Sequence, residues 1–228
     1  MQSDEKSVST SAAQSLCGVA INLTDGILPS VFCRGMGMLY LRWLRAEENN
    51  HSGQHRAAYD ALAWGLWRES GIRHALLERQ DRGKPFLPMY PQVHVNVTHC
   101  RFLAAAAVDA APVGVDAEPV RPLRERVLER TCAREEQDWV LSQPDPDYAF
   151  IRLWTAKESY VKATGTGIGV PLQEVTFTLT EESIRSRMDA GFTQLLLPEH
   201  VITICHKTGK GQVLTLCPKE EWICWNWI

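Results

Sequence analysis

The stretch VHVNVTHCRFLAAAAVDAAPVGVDAEP, residues 93–119, decides how this chain is built. VHVNV alternates, with valines on one side and His94 and Asn96 on the other, the two-residue period of a strand. RFLAAAAVD has the alanines of a helix, but its short length between two turn signals reads as a buried strand. VGVDAE alternates again: Val113, Val115 and Ala117 face one way, Gly114, Asp116 and Glu118 the other. Between the second and third strands, around residues 109–113, the order of the chain restarts. Helix-rich and then strand-rich sequence occurs once before this point and once after it. The expectation is an α+β protein of two similar α/β halves of about equal size.

Upstream, residues 36–70 read as helical, interrupted by a loop, EENNHSGQH, at residues 47–55. Gly71 supplies the stop. DRGKPFLP, residues 81–88, has two prolines and is neither helix nor central strand. SLCGVAINL reads as a first strand behind a disordered tail of residues 1–14. The expected N-terminal subdomain is thus 15–111 and the C-terminal one 112–228. Downstream, residues 123–141 read as helical with a break near Thr131. FIRLWTAKESYVKATGTGIGVP, residues 150–171, carries a long helix over about 147–164, with Gly165 as its cap and Pro171 preventing continuation. VTFTLT, FTQLLL, VITICHK and QVLTLC read as strands.

The 228 residues carry a formal net charge of −3, so no global basic field draws the chain to nucleic acid. Seven scattered cysteines, odd in number and without a CxxC pair, argue against a disulfide framework and a zinc site. That usage fits a reducing cytosol. No apolar run approaches the roughly 20 residues that span a bilayer. The polar start is unlike a signal peptide. A cytoplasmic protein without membrane attachment is expected.

Three clusters could carry chemistry. Asp116 and Glu118 project from the same side of a strand, and two carboxylates there repel unless a cation such as Mg²⁺ lies between them. Their plain alternative is a solvated strand face. Trp154, Glu158 and Lys162 are spaced i, i+4, i+8 and share a helix stripe, with Lys157 about 100° round from Glu158. Here the plain alternative is a helix-stabilising Glu158–Lys162 pair worth roughly 0.2–0.5 kcal/mol. In VNVTHC, Asn96 and Thr98 share a face and His99 begins the turn, where an ordinary turn residue is the alternative.

Taken in order, GKPFLP, VNVTHC, GVDAEP and WTAKESYVKATGTGI resemble the four blocks of the surfactin-synthetase type of 4′-phosphopantetheinyl transferase. The likeness runs from Arg56 to about Phe177. It departs at Thr98, where serine is usual, at Cys100, where serine or threonine is usual, and at Ala117, where a larger apolar residue is usual. None of these removes a proposed ligand.

The resemblance implies a fold of two α/β subdomains related by a pseudo-twofold axis, with coenzyme A in the cleft between them. It implies transfer of phosphopantetheine from coenzyme A to a serine of an apo acyl or peptidyl carrier protein, releasing adenosine 3′,5′-bisphosphate. Mg²⁺ would lie between Asp116, Glu118 and Glu158. Glu158 would be the general base and Lys162 the support of the leaving group. Lys157 would contact the pyrophosphate. His99 and Arg56 would bind the 3′-phosphate, with Thr98 beside them, and Gly83 and Lys84 would lie on the adenine side. Arg42 and Arg45 are further upstream candidates. Two fused halves make a monomer the expectation. The rival readings are a non-catalytic coenzyme A or carrier-binding homologue and an unrelated Mg²⁺-dependent phosphoryl transferase. The chain has no GxxxxGKS or GxxxxGKT loop and no HRD/DFG series, which disfavours the second. Arg121, Arg124, Arg126 and Arg130 could form a basic face for an acidic carrier, or a solvated helix paired with Glu125 and Glu129.

Overall fold

The computed structural model describes residues 15–16, 19–22, 30–33, 38–180, 184–186, 188–207 and 215–216. The expected tail, residues 1–14, lies outside the described residues, as do Cys17, Cys217 and Cys224. The chain begins with β1 (Ser15–Leu16), β2 (Val19–Asn22), β3 (Ser30–Cys33) and β4 (Met38–Trp43), followed by α1 (His51–Ser70). A short ribbon, β5 (Glu78–Arg79) with β6 (Pro85–Phe86), leads to β7 (His94–Cys100) and β8 (Leu103–Asp109). The second half has β9 (Val113–Pro119), α2 (Glu125–Thr131), α3 (Arg134–Ser142) and α4 (Pro146–Thr164). It ends in β10 (Phe177–Leu179), β11 (Ile184–Ser186), β12 (Gly191–Leu196), β13 (His200–His206) and β14 (Thr215–Leu216).

The two main sheets share one connectivity. The first has the order β1-β2-β3-β4-β8-β7, the second β14-β12-β13-β9. In the first, β4 leads through α1 to the antiparallel hairpin β7–β8, whose second strand returns beside β4. In the second, β9 leads through the helices to the hairpin β12–β13, whose second strand returns beside β9. The restart read in the sequence around residues 109–113 is the step from one such unit to the next.

The sheets pack face to face, with α1 and α4 on the two outer sides. Leu39, Leu41, Leu103, Ala105 and Ala107 of the first sheet share a core with Val113, Val115, Ala117, Ile202 and Ile204 of the second. The intervening residues Tyr40, Ala106 and Val108 instead meet Leu62 and Leu66 of α1. On the far side, Val201, Cys205 and Phe192 meet Phe150, Leu153 and Ala156 of α4. The alanines of β8 therefore serve two cores at once, and their small size suits layers in close contact.

This double burial explains a correction. MLYLRW reads as part of a helix, but it forms β4 between β3 and β8. Leu39, Tyr40 and Leu41 are all buried, so the strand has no polar alternation to announce it. The loop expected at residues 47–55 is likewise shorter, because α1 starts at His51, where the side chain of Asn50 accepts a hydrogen bond from Gly53 N at 3.0 Å. Gly71 ends α1 in the left-handed conformation, at φ 66°. The break near Thr131 separates α2 from α3. α4 is capped by the Asp145 side chain, begins on Pro146 and stops at Gly165, at φ 69°.

Candidate active site

Gly114 decides how α4 meets β9. A Cβ at this position would lie 2.1 Å from the Ser159 carbonyl oxygen and 2.3 Å from the Ala163 nitrogen. Without a side chain, the helix backbone rests directly on the strand. Two residues further along, Asp116 comes under Lys162, whose Nζ donates to Asp116 Oδ1 at 2.6 Å and to the Thr98 hydroxyl at 3.2 Å. Asn96, on the same face as Thr98, accepts from Val115 N at 2.9 Å and so joins the edges of the two sheets.

The charges here are in tension. Burial pushes the Asp116 carboxyl above the usual carboxylate range, against the opposing pull of Lys162. Burial and then the charge of Asp116 raise Glu158, with Glu118 adding to the rise. Glu118 itself is ion-paired with Arg121. Among the described residues no three His, Cys, Asp or Glu side chains stand gathered closely enough to hold a metal ion. Two cations of the chain, Lys162 and Arg121, sit on these carboxylates instead. The donor set still fits a hard divalent cation. Asp116 Oδ2 is buried with no hydrogen-bond partner, the carboxylates of Glu118 and Glu158 repel that of Asp116 and each other, and all the donors are oxygens.

Beside the carboxylates opens a cleft of about 320 Å³. Its walls come from both halves: Arg79, Arg82, Gly83, Lys84 and Pro85 from the ribbon, Asn96 and Val97 from β7, Glu158, Val161 and Lys162 from α4, and the segment from Gly165 to Leu172. Three alternate glycines of GTGIG face the ribbon. A Cβ on Gly165 would meet Lys84 Cδ at 3.3 Å, one on Gly167 would meet Arg82 Cβ at 3.3 Å, and one on Gly169 would meet Arg82 Nη1 at 3.3 Å. Arg82 donates to the Thr166 carbonyl. Lys84 Nζ donates to Val113 O at 3.1 Å and to Ala163 O at 2.5 Å. Burial pushes this ammonium down to about 8.

His99 lies within β7 rather than at the turn expected for it, and its ring meets a group of histidines from α1. Its ring centroid is 5.7 Å from that of His51 and 6.1 Å from that of His55. Burial, then His51 and His55, lower the His99 pKa below the usual imidazole value. His55 also packs on Tyr59 at 4.6 Å, and Tyr59 accepts from Arg79 at 2.6 Å.

Of the residues singled out in the sequence, Asp116, Glu118, Glu158, Lys162 and Thr98 come together, and Gly83 and Lys84 line the adjoining cleft. Lys157 does not join them. It is fully buried, and its Nζ donates to Glu136 at 2.7 Å, to Leu172 O at 2.8 Å and to Val175 O at 2.6 Å. A lysine whose three donors are all engaged inside the protein does not reach a pyrophosphate, so that expectation is corrected. Arg56 is exposed on α1, while His51 and His55 are the α1 side chains beside His99. Arg42 is engaged by Glu48 at 2.7 Å and Asp60 at 2.8 Å, and Arg45 is exposed just ahead of a short helical turn. Sequence reasoning missed His51, His55, Arg79 and Arg82. The HxxxH spacing of the first two would have placed them on one helix face, had residues 47–55 not read as loop.

Residues 112–221 match the family model described as the 4′-phosphopantetheinyl transferase superfamily. Over these residues the chain is similar to that superfamily. It is 35% identical over 131 residues to the 4′-phosphopantetheinyl transferase psf-1 of Bacillus pumilus, covering 57% of this chain and 53% of that protein. It is 31% identical over 106 residues to the transferase Sfp of Bacillus subtilis strain 168, covering 45% of this chain and 47% of that one. To the transferase Svp of Streptomyces mobaraensis it is 36% identical over 130 residues, covering 53% and 51%. The chain thus spans about half the length of the curated relatives it matches. A solved structure, the holo-acyl-carrier-protein synthase AcpS of Thermotoga maritima, aligns at a TM-score of 0.38 and 21% identity, over 42% of this chain and 63% of its own. The superfamily match begins just before β9 and takes in Gly114, Asp116, Glu118, Glu158 and Lys162. Among the described residues no helix is long and apolar enough to cross a membrane.

Proposed function

We propose that the chain is a 4′-phosphopantetheinyl transferase that moves phosphopantetheine from coenzyme A to a serine of an apo acyl or peptidyl carrier protein. The observation that carries this reading is the meeting of Asp116, Glu158 and Lys162 at a cleft walled by both halves. Asp116, through its unpartnered Oδ2, together with Glu118 and Glu158, would hold Mg²⁺. When bound, that ion neutralises the pyrophosphate and polarises its phosphorus. Lys162 leaves Asp116 and steadies the departing bisphosphate. Glu158 takes the proton of the carrier serine as the serine oxygen bonds to phosphorus and the bond to the bisphosphate breaks. His99, with His51, His55 and Arg56, receives the 3′-phosphate, and Gly83 and Lys84 flank the adenine. In this reading residues 15–111 and 112–228 are the two subdomains, and the protein works as a cytoplasmic monomer.

The test is incubation of the purified chain with coenzyme A, Mg²⁺ and a panel of apo carrier proteins, read by intact mass. Gain of phosphopantetheine on a carrier serine is the expected result. Binding of coenzyme A without gain on any carrier would make the chain a non-catalytic homologue. Binding of ATP in place of coenzyme A would place it among other phosphoryl transferases.

A further inference from the structure

Lys157 and Glu136 form an ion pair in the interior, at 0% and 3% side-chain exposure. The pair also binds backbone of the segment that follows α4. Lys157 places its other two donors on the carbonyls of Leu172 and Val175. Glu136 Oε1 accepts from Phe177 N at 2.7 Å, and Oε2 accepts from Ala133 N at 2.9 Å as well as from Lys157. Two carbonyls and one amide of the segment that follows α4 are thereby fixed to α3 and α4. Gln173 adds a bond to the Glu129 carbonyl of α2 at 2.6 Å. The same segment, from Gly165 through Val170 to Leu172, is one wall of the cleft.

We propose that Lys157 and Glu136 are positioning residues: this buried pair anchors residues 172–177 and so sets the adjoining cleft wall at residues 165–172 and, through it, the affinity for coenzyme A, without touching the coenzyme. The proposal rests on the functional reading above. Lys157 and Glu158 are consecutive and diverge by about 100° on α4. One backs the wall from inside while the other lines the cleft. Buried ion pairs are poor sources of stability, because desolvation consumes the attraction. An apolar pair could fill the same volume but could not hydrogen-bond three backbone groups of this segment. Positioning is therefore the consequence of this pair that a well-packed apolar pair would not supply.

The test is the double variant Glu136→Gln/Lys157→Met, which leaves no lone buried charge, compared with the wild-type chain. Hydrogen exchange is followed across residues 165–177, and coenzyme A binding and steady-state transfer are measured well below the melting temperature. The expected result is a cooperatively folded protein with faster exchange confined to residues 170–177. Its coenzyme A KM should rise roughly tenfold, a loss comparable to one or two hydrogen bonds, with kcat within about threefold and the carrier KM unchanged. A folded variant with wild-type exchange in this segment, or with wild-type coenzyme A KM, overturns the proposal. If the double variant does not fold, Glu136→Asp, which keeps both charges and shortens one arm, carries the same measurements. If the wild-type chain itself does not bind coenzyme A, the functional reading fails, while the exchange comparison still decides whether the pair sets the wall.

Discussion

Lys162 Nζ donates to Asp116 Oδ1 at 2.6 Å, while Oδ2 of the same buried carboxylate has no hydrogen-bond partner. A carboxylate kept only for structure would have both oxygens satisfied, since an unpaired buried acceptor costs about 1–3 kcal/mol. The pair also shows where the lysine of the Glu158–Lys162 spacing goes: its ion pair crosses to the strand, 46 residues back in the chain. Such a half-satisfied group is the kind of stability sacrifice that functional sites retain.

Removing the Asp116 charge should separate stability from activity. Asp116→Asn is expected to melt at or above the wild-type temperature, because burial already disfavours the charged form. Its transfer rate should fall by at least ~10²-fold, the scale of losing a metal ligand worth several kcal/mol. Calorimetry and a mass-based transfer assay read the two effects. Near-wild-type turnover of the variant at saturating Mg²⁺ removes Asp116 from the proposed metal site.

Gly114→Ala tests the helix-on-strand contact. Its Cβ would collide with backbone at 2.1 Å, so α4 must lift from β9. A loss of about 1–3 kcal/mol in urea unfolding is expected, as for other overpacked sites, with transfer falling further than stability. Unchanged stability would mean that α4 is free to shift.

The histidine group should discriminate donors by their 3′-phosphate. His99→Ala, His51→Ala and Arg56→Ala are each expected to weaken coenzyme A more than 3′-dephospho-coenzyme A. Titration calorimetry with both compounds provides the comparison. Equal weakening of the two would place the 3′-phosphate elsewhere.

Lys84 makes a pH prediction with a definite sign. Its folded pKa is lowered to about 8 from an ordinary 10.5, so across that window the unfolded chain holds a proton that the folded chain has released. Stability therefore rises with pH between about 8 and 10.5, and this contribution has no slope below the folded value. Lys84→Met should remove the rise. Urea unfolding of both proteins across the window measures the difference, and parallel curves would contradict the assignment.

Carrier docking is separable from coenzyme binding. Arg121 pairs with Glu118, but Arg124, Arg126 and Arg130 are exposed on and just before α2, next to the strand that carries Asp116. Arg124→Glu with Arg130→Glu is expected to raise the KM for an acidic carrier and flatten its salt dependence, leaving coenzyme A affinity alone. An unchanged carrier KM at low salt takes α2 out of the docking surface.

The sequence by itself determined the local elements whose signals are local. Gly165 stops α4, alternation marks β7 and β9, and the i, i+4 spacing puts Glu158 and Lys162 on one stripe. The resemblance carried by the four motifs implied that Asp116, Glu118, Glu158 and Lys162 share one site, which their spacing alone does not give. Only the tertiary structure decided which side of each element is interior. β4 was illegible as a strand because neighbours on both faces bury it, which erases its alternation. Lys157 looks as available as Lys162 along the helix, yet α3 and the segment after α4 enclose it. The three alternate glycines read as a helix stop and little more, until Arg82, 84 residues before Thr166, packs against them. Caps and periods depend on residues within a turn or two of one another. Burial, ion pairing and the walls of a cleft depend on what packs across from them, and only folding brings those distant residues near.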